Sequence, residues 1–347
     1  MTGEFSAFAT NALVLPWLSR PILGHSSTPK VLRMNTTVCF KSLLSNSNRW
    51  TSLLLSGLLC CLGGVAHGQM FDDKLFVNYS FAPPVDFKDI PGKSHAYNSV
   101  EVQLSAPPIQ VGPRLQWVNV LYGKSVIYNL EGSSENLSGL SERFSDIRYT
   151  ALFNYKLTNP KWALLVSPTL MVRTDFADNL SKKDLFPQGV ALATYAPHGD
   201  NSLVFSVGAV LTNDFNHNLV APLVGLVSKT ERLTAELTYP RVNILYKPTK
   251  KLEWGVTATA DAAIFKSKQW AWADNQISQY VRTVNLFAGQ ALNYNLHGGL
   301  WLNTQVGYAF LRNYDLLDAD YEPIKAVNTD LKGSFMFKAG VSMRFGH

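Results

Sequence analysis

The chain has 347 residues, 46% of them hydrophobic and 16% charged, with 31 Lys and Arg against 25 Asp and Glu. Three cysteines in a chain of this length exclude a disulfide scaffold, and the apolar content excludes a disordered polyelectrolyte. The formal charge of +6 suggests an acidic partner until its position is read: five of the 31 basic residues but only one of the 25 acidic ones precede Gln69.

From the N-terminus, the first organised signal is "NRWTSLLLSGLLCCLGGVAHGQMF". Lys41 and Arg49 precede an apolar run from Leu53 to Val65, and small residues follow at Ala66 and Gly68. This is the layout of a secretory signal peptide, with cleavage expected between Gly68 and Gln69. The run falls short of the roughly 20 residues a spanning helix needs. The residues just before Cys60 and Cys61 lack the small side chains of a lipidation site. Residues 1–33 therefore read as an upstream extension ahead of Met34, 34–68 as the signal peptide and 69–347 as one domain. Cys39, Cys60 and Cys61 all fall in the leader, so the expected mature chain has no cysteine and carries 26 basic and 24 acidic residues. A near-neutral domain gives no reason to expect nucleic acid as a partner.

Beyond Gln69 no stretch offers the roughly 18 consecutive apolar residues of a membrane helix. A two-residue period recurs instead, the mark of strands with one apolar face. Val100, Val102, Leu104 and Ala106 alternate with Ser99, Glu101, Gln103 and Ser105. Ile147, Tyr149, Ala151, Phe153, Tyr155 and Leu157 alternate with Asp146, Arg148 and other polar residues. Leu203 to Leu211 forms a third row. A fourth, Leu252 to Ile264, places Val256, Ala258, Ala260 and Ala262 opposite Glu253, Thr257, Thr259 and Asp261. The chain closes on "FMFKAGVSMRFGH", where Phe335, Phe337, Ala339, Val341, Met343 and Phe345 alternate with residues that include Lys338. Such segments in series predict an all-β fold: a single antiparallel transmembrane β-barrel of 12–14 strands.

The connections sort by parity. "TNP", "HGDN", "TE", "KPTKK" and "LHGG" are brief, whereas the alternate stretches 83–96, 123–145, 175–186, 266–278 and 313–332 are longer. Short periplasmic turns and longer extracellular loops are expected of an outer-membrane barrel. The sorting requires a reversal at Pro240, where the apolar phase of "LTAELTYPRVNILY" flips; reversal gives fourteen strands and a bulge would leave thirteen. Tyr155, Trp162, Tyr195, Tyr246, Trp254, Tyr294, Trp301 and Phe345 lie beside the short connections, as an interfacial aromatic girdle would.

Residues 69–347 resemble an uncharacterised outer-membrane β-barrel family of Bacteroidota-type bacteria. The resemblance rests on the leader end "AHGQ", on "APLVGLVSKTERLTAELTYPRVNILYKPTKKLEWGV" and on the closing "FKAGVSMRF". It implies fold and location and no reaction. The same closing strand, 333–345, resembles the assembly signal of outer-membrane proteins, which implies the barrel-assembly machinery as a partner, beside outer-membrane lipid and lipopolysaccharide.

Chemistry is sparse. His95, His198, His217, His297 and His347 fall at or near expected loops, and only Ser94 with His95 or Asp214 with His217 offers an extracellular nucleophile–base pairing. No metal-binding spacing occurs; Asp315, Asp318, Asp320 and Glu322 read as a hydrated loop, and no cofactor is implied. Trp270 and Trp272 are loop residues placed to contact a sugar or lipid. If the apolar rows face lipid, Ser99, Glu101, Gln103, Ser105, Arg148, Glu253, Thr257, Thr259, Asp261 and Lys338 line the lumen. The expectation is a non-enzymatic outer-membrane pore or binding channel for small polar or amphipathic solutes. A structural or adhesion barrel with a plugged lumen stands second and an outer-membrane hydrolase third.

Overall fold

A computed structural model describes residues 73–88, 94–131, 143–200, 202–215, 217–238, 240–271, 277–324 and 330–344. The leader, its cleavage point and Phe345 lie outside the described residues. In chain order the strands are β1 (Asp73–Asp86), β2 (Ser94–Ser105), β3 (Ile109–Val111), β4 (Leu115–Glu131), β5 (Arg143–Lys156), β6 (Trp162–Thr174), β7 (Leu185–Tyr195) and β8 (Leu203–Phe215). They continue as β9 (His217–Lys229), β10 (Leu233–Thr238), β11 (Arg241–Thr249), β12 (Leu252–Ala271), β13 (Ile277–His297), β14 (Leu300–Leu317), β15 (Asp330–Leu331) and β16 (Ser334–Arg344).

Apart from β3 and β15, each strand pairs antiparallel with the next, β2 with β4 and β14 with β16, and β16 pairs with β1 on its other side, so the sheet is a closed barrel. Two short strands, β3 and β15, stand aside on β4 and β14, which leaves fourteen in the wall. The reversal at Pro240 is present: Thr238 pairs with Arg241 in a tight hairpin. Among the described residues no helix is long and apolar enough to cross a membrane.

The faces are inverted relative to a water-soluble protein. Leu75, Val77, Tyr79 and Phe81 on β1 are exposed beside Val100, Val102 and Leu104 on β2 and Phe337 and Val341 on β16. Ser80, Ser99, Gln103 and Ser342, on the opposite faces of those strands, are buried. The outward row reaches 70% exposure at Phe335 and 69% at Val224, an apolar coat that water would penalise at roughly 25 cal/mol per Å². The aromatic ring by the short turns holds for Tyr155, Trp162, Tyr246, Trp254 and Tyr294. Trp301 departs from it, turning inward to 4% exposure beneath the Arg344 guanidinium, 4.4 Å from its ring centroid.

Several strands run further than their sequence pattern predicts. β4 continues to Glu131, β12 to Ala271, β13 begins at Ile277, and β14 reaches Leu317, consuming much of the expected loops 123–145, 266–278 and 313–332. The polar residues that made those stretches look like loops point inward and are paired there, as Lys124 is with Asp261 and Arg282 with Asp315. A bulge at Phe310 also flips the phase of β14, placing Ala309 inside below it and Arg312 and Tyr314 inside above it.

Height around the wall is uneven. β10 has six residues, so β9 pairs with it only over Gly225–Lys229, and β11 accompanies β12 only as far as Thr259. Past Ala260, whose N–H donates to the Pro240 carbonyl at 3.0 Å, β12 has lost its neighbour on that side. It bends across and makes the barrel's one described parallel pair, Lys266 with Thr174 of β6. The Asp175 N–H donates to the Lys266 carbonyl, and the Asp175 carboxylate accepts from the Lys268 N–H. The expected lipid-facing row on β12 is thereby corrected at its far end: Ala262 is 6% exposed, and Ile264 is fully buried against Met171, Phe186, Tyr280 and Leu317. Val256, lower on that row, remains 54% exposed.

In lipid vesicles Val256→Arg is expected to destabilise the barrel by about 2–4 kcal/mol, the cost of a charge in hydrocarbon. Ile264→Arg, on the same alternating row, is expected to prevent folding altogether because no route to solvent exists. Urea titration followed by tryptophan fluorescence checks both; equal effects would show that β12 keeps one environment along its length.

Candidate functional site

The interior has three levels. Halfway up, side chains from seven strands form a belt of ion pairs. Glu101 on β2 meets Lys338 of β16 at 2.8 Å and Lys124 of β4 at 3.7 Å, and Lys124 reaches Asp261 of β12. Beside it Asp146 on β5 accepts from Arg148 and, at 3.0 Å, from Arg173 of β6, which also pairs with Asp214 of β8. Gln188 on β7 and Thr212 donate to Asp214 at 2.8 and 2.9 Å. Glu101, Asp146, Asp214 and Asp261 thus face Lys124, Lys338, Arg148 and Arg173, four anions to four cations. The set is charge-compensated and, apart from Asp261 at 42% exposure, largely withdrawn from solvent, so that removing one partner leaves the other costly.

Toward the long-loop end the lumen is filled. Tyr97, Val126, Tyr128, Phe144, Phe265, Val281 and Tyr314 pack in one cluster with Phe87, Leu316 and Leu331. His95 sits inside it, its ring 4.9 Å from Tyr128 and 5.4 Å from Tyr314, with Nδ1 3.3 Å from an Arg312 nitrogen.

Toward the short-turn end the interior opens instead into a cavity of about 560 Å³. Its sleeve is aliphatic in part, with Val118 and Val120 from β4, Leu152 from β5, Leu165 from β6, Leu192 from β7 and Val227 from β9, interspersed with Gln116, Thr150, Asn154, Thr194 and Ser206. The floor is Tyr122 with the Arg148 guanidinium 4.8 Å from its ring centroid, and Gln103, whose Oε1 has no hydrogen-bond partner. The lining extends to Pro160, Lys161 and Gly199 in the turns, so the mouth lies at that end. The volume falls within the roughly 300–1,000 Å³ of small-molecule sites.

The residues expected to line the lumen fall at different levels of this interior. Glu101, Arg148, Asp261 and Lys338 are in the belt, and Ser99 lies just above it, accepting from the Tyr97 hydroxyl at 2.9 Å. Gln103 and Arg148 also reach the cavity. Thr257 is 3% exposed and donates to Asn243, which donates to Glu236, while Thr259 on the same strand is half-buried. Glu253 sits at the short-turn rim, accepting from Arg344, which also holds Asp73, so first, last and twelfth strands are tied there. Lys124, Arg173 and Gln188 went unread in the sequence as site residues, although they complete the belt. The signal available was a charged residue in phase with the polar row, present for Lys124 and Arg173.

Two expectations are corrected outright. His95 and Asp214, expected in loops, are 1% and 0% exposed inside the barrel. One is caught in an aromatic cluster and the other in an ion pair. Of the acidic stretch read as a hydrated loop, Asp315 belongs to β14 and pairs with Arg282, and an Asp318 oxygen accepts from the Asp320 and Glu322 N–H groups. Trp270 lies in β12, in register with Ser278, rather than in a loop, and Trp272 lies outside the described residues.

Fold and interior together define a closed fourteen-stranded antiparallel barrel, apolar outside and charge-paired inside. The chain belongs to the family described as domain of unknown function DUF6268, which matches residues 137–344. No curated protein matches it. Similar solved structures include the Pseudomonas putida toluene transporter TodX, 12% identical over 81% of this chain and 93% of that one, with a TM-score of 0.33. A TodX deltaS2S3 mutant, a monoaromatic hydrocarbon channel, is 11% identical over 78% and 89%, TM-score 0.37. The β domain of the Bordetella autotransporter BrkA is 10% identical over 79% and 100%, TM-score 0.29. Likeness of that order supports no statement about what this chain carries.

Arg173→Met is expected to cost about 3–5 kcal/mol of stability, since it strands Asp146 and Asp214 without a shared guanidinium. Adding Asp214→Asn should recover a substantial part of the loss. Unfolding midpoints in vesicles measure both; additive losses would mean that the pair is not coupled.

Proposed function

We propose that this chain is a non-enzymatic outer-membrane barrel that receives a small polar or amphipathic solute into a one-sided vestibule and holds it beneath a closed belt. The observation that carries the reading is the cavity of about 560 Å³ at the short-turn end, lying under ion pairs and an aromatic core that fill the rest of the lumen. A barrel built only as a surface scaffold has no need of such a space. A freely conducting pore is opposed by the packed half above it. In this reading the apolar coat faces outer-membrane lipid and lipopolysaccharide, the short turns face the periplasm and strand 333–345 is presented to the assembly machinery. The leader ends near Gly68, and N-terminal sequencing of the exported protein is expected to begin at Gln69 or within a few residues of it.

Cysteine labelling tests the vestibule, in a background with Cys39, Cys60 and Cys61 replaced by serine. Leu165→Cys in the sleeve is expected to react with a water-borne, membrane-impermeant thiol reagent applied from the short-turn side. Val126→Cys, above the belt and fully buried, is expected to react at least about a hundredfold more slowly. Equal rates at both positions would identify a through-pore, and silence at both would identify a plugged structural barrel. Planar bilayers should show no steady conductance from the unmodified protein.

A further inference from the structure

The lining of the vestibule has a sign. Arg148 stands at its floor, and Lys74, Lys156, Lys161 and Lys229 lie at or near its mouth. Among the described residues no Asp or Glu belongs to the lining, although Asp200 and Glu231 are exposed in the short turns beside Gly199 and Lys229. This is not the bias of the whole barrel, which is nearly neutral beyond the leader and holds other acids in the belt and at the rim with Arg344. Between floor and mouth the wall mixes aliphatic and neutral polar side chains: Val118 and Val120 on β4 follow Gln116, and Leu152 on β5 stands between Thr150 and Asn154. Arg148 is already held by Asp146 through two nitrogens, so the floor cation is committed. Lys156 and Lys161, in contrast, are exposed at the end of β5 and in the turn after it, where an ammonium on a flexible stem can follow a ligand head.

We infer that the vestibule takes an amphipathic anion: a medium-length aliphatic chain seated in the sleeve, with a carboxylate or phosphate head at the lysine mouth. The inference rests on the vestibule proposed above and adds its ligand class. The two halves of such a ligand match the two halves of the lining, and a cationic or zwitterionic amphiphile of equal length matches only one. A sugar or a free inorganic anion, the alternative for a cationic cavity, finds partners in Gln116, Thr150 and Asn154 but leaves Val118, Val120, Leu152 and Leu165 without an apolar partner.

Protection of Leu165→Cys from the thiol reagent, in full-length protein held in lipid nanodiscs, provides the test. Decanoate is expected to slow labelling at concentrations at least about tenfold below those needed for decyltrimethylammonium or decyl maltoside. Lengthening the chain from octanoate to decanoate should tighten protection by about fourfold per methylene, the Boltzmann equivalent of burying each one. Decyl phosphate compared with decanoate decides between the two heads. Lys156→Glu together with Lys161→Glu should abolish the preference for the anion, and the corresponding glutamine pair should reduce it without reversing charge. Both positions are exposed, so folding is expected to survive. Equal protection by anionic, cationic and neutral chains, in protein whose Leu165→Cys labels normally, would overturn the ligand class and leave the vestibule standing. A Leu165→Cys that never labels would remove the vestibule, and the ligand with it.

Discussion

A sheet coated with apolar side chains on its outer face has no solvent to bond its last backbone groups, and that constraint organises everything else in this molecule. Closure of β16 onto β1 satisfies the constraint, with Tyr79 opposite Ala339 and Phe81 opposite Phe337 in register. Once the wall is closed and its outside is apolar, charged side chains at mid-strand are committed to the interior. Isolated charges are costly there, and those of the belt arrive in opposed sets. The belt follows from closure as directly as the hydrogen-bond ladder does.

The short β10–β11 hairpin then shapes the interior. With only six residues in β10, the far half of β12 has no strand beside it and folds across to β6. The ring is narrower at that level than below it. Large aromatic residues such as Phe144 and Phe265, whose ring centroids are 5.0 Å apart, suffice to fill the narrow part. Below the belt, where β7 to β9 belong to the ring, inward residues of the size of valine and leucine leave space. A single local feature, a tight turn at Pro240, thus separates a packed half from an open one.

The wall was legible in the sequence to a large extent, because period-two alternation survives in any strand whose two faces meet different media. β16 and β5 show this best: Phe335, Phe337 and Val341 stand exposed outside, as do Ile147, Tyr149 and Tyr155. Legibility failed where both faces meet protein. Ile264 and Ala262 carry the pattern of a lipid-facing row yet lie under β6 and β7, and nothing local to β12 announces that its neighbour ends early. The interior was harder still. Arg173 and Asp214 are 41 residues apart, Lys124 and Asp261 137, and His95 and Arg312 217. Such partners are chosen by barrel register and by strand tilt, which the order of residues along one strand does not encode. The cavity left no trace either, since Val118, Val120 and Leu165 read as ordinary strand residues. Their meaning comes from what stands across the lumen.

The unequal strands also determine what rises above the membrane. β13 has 21 residues, which at about 3.4 Å per residue and a tilt of about 40° gives a ribbon of roughly 55 Å, about twice the height of a barrel's apolar band. It is paired along most of its length with both β12 and β14. Among the described strands β12, β13 and β14 stand tallest while β10 and β11 end low, so the rim at the long-loop end is high on one flank and stepped on the other.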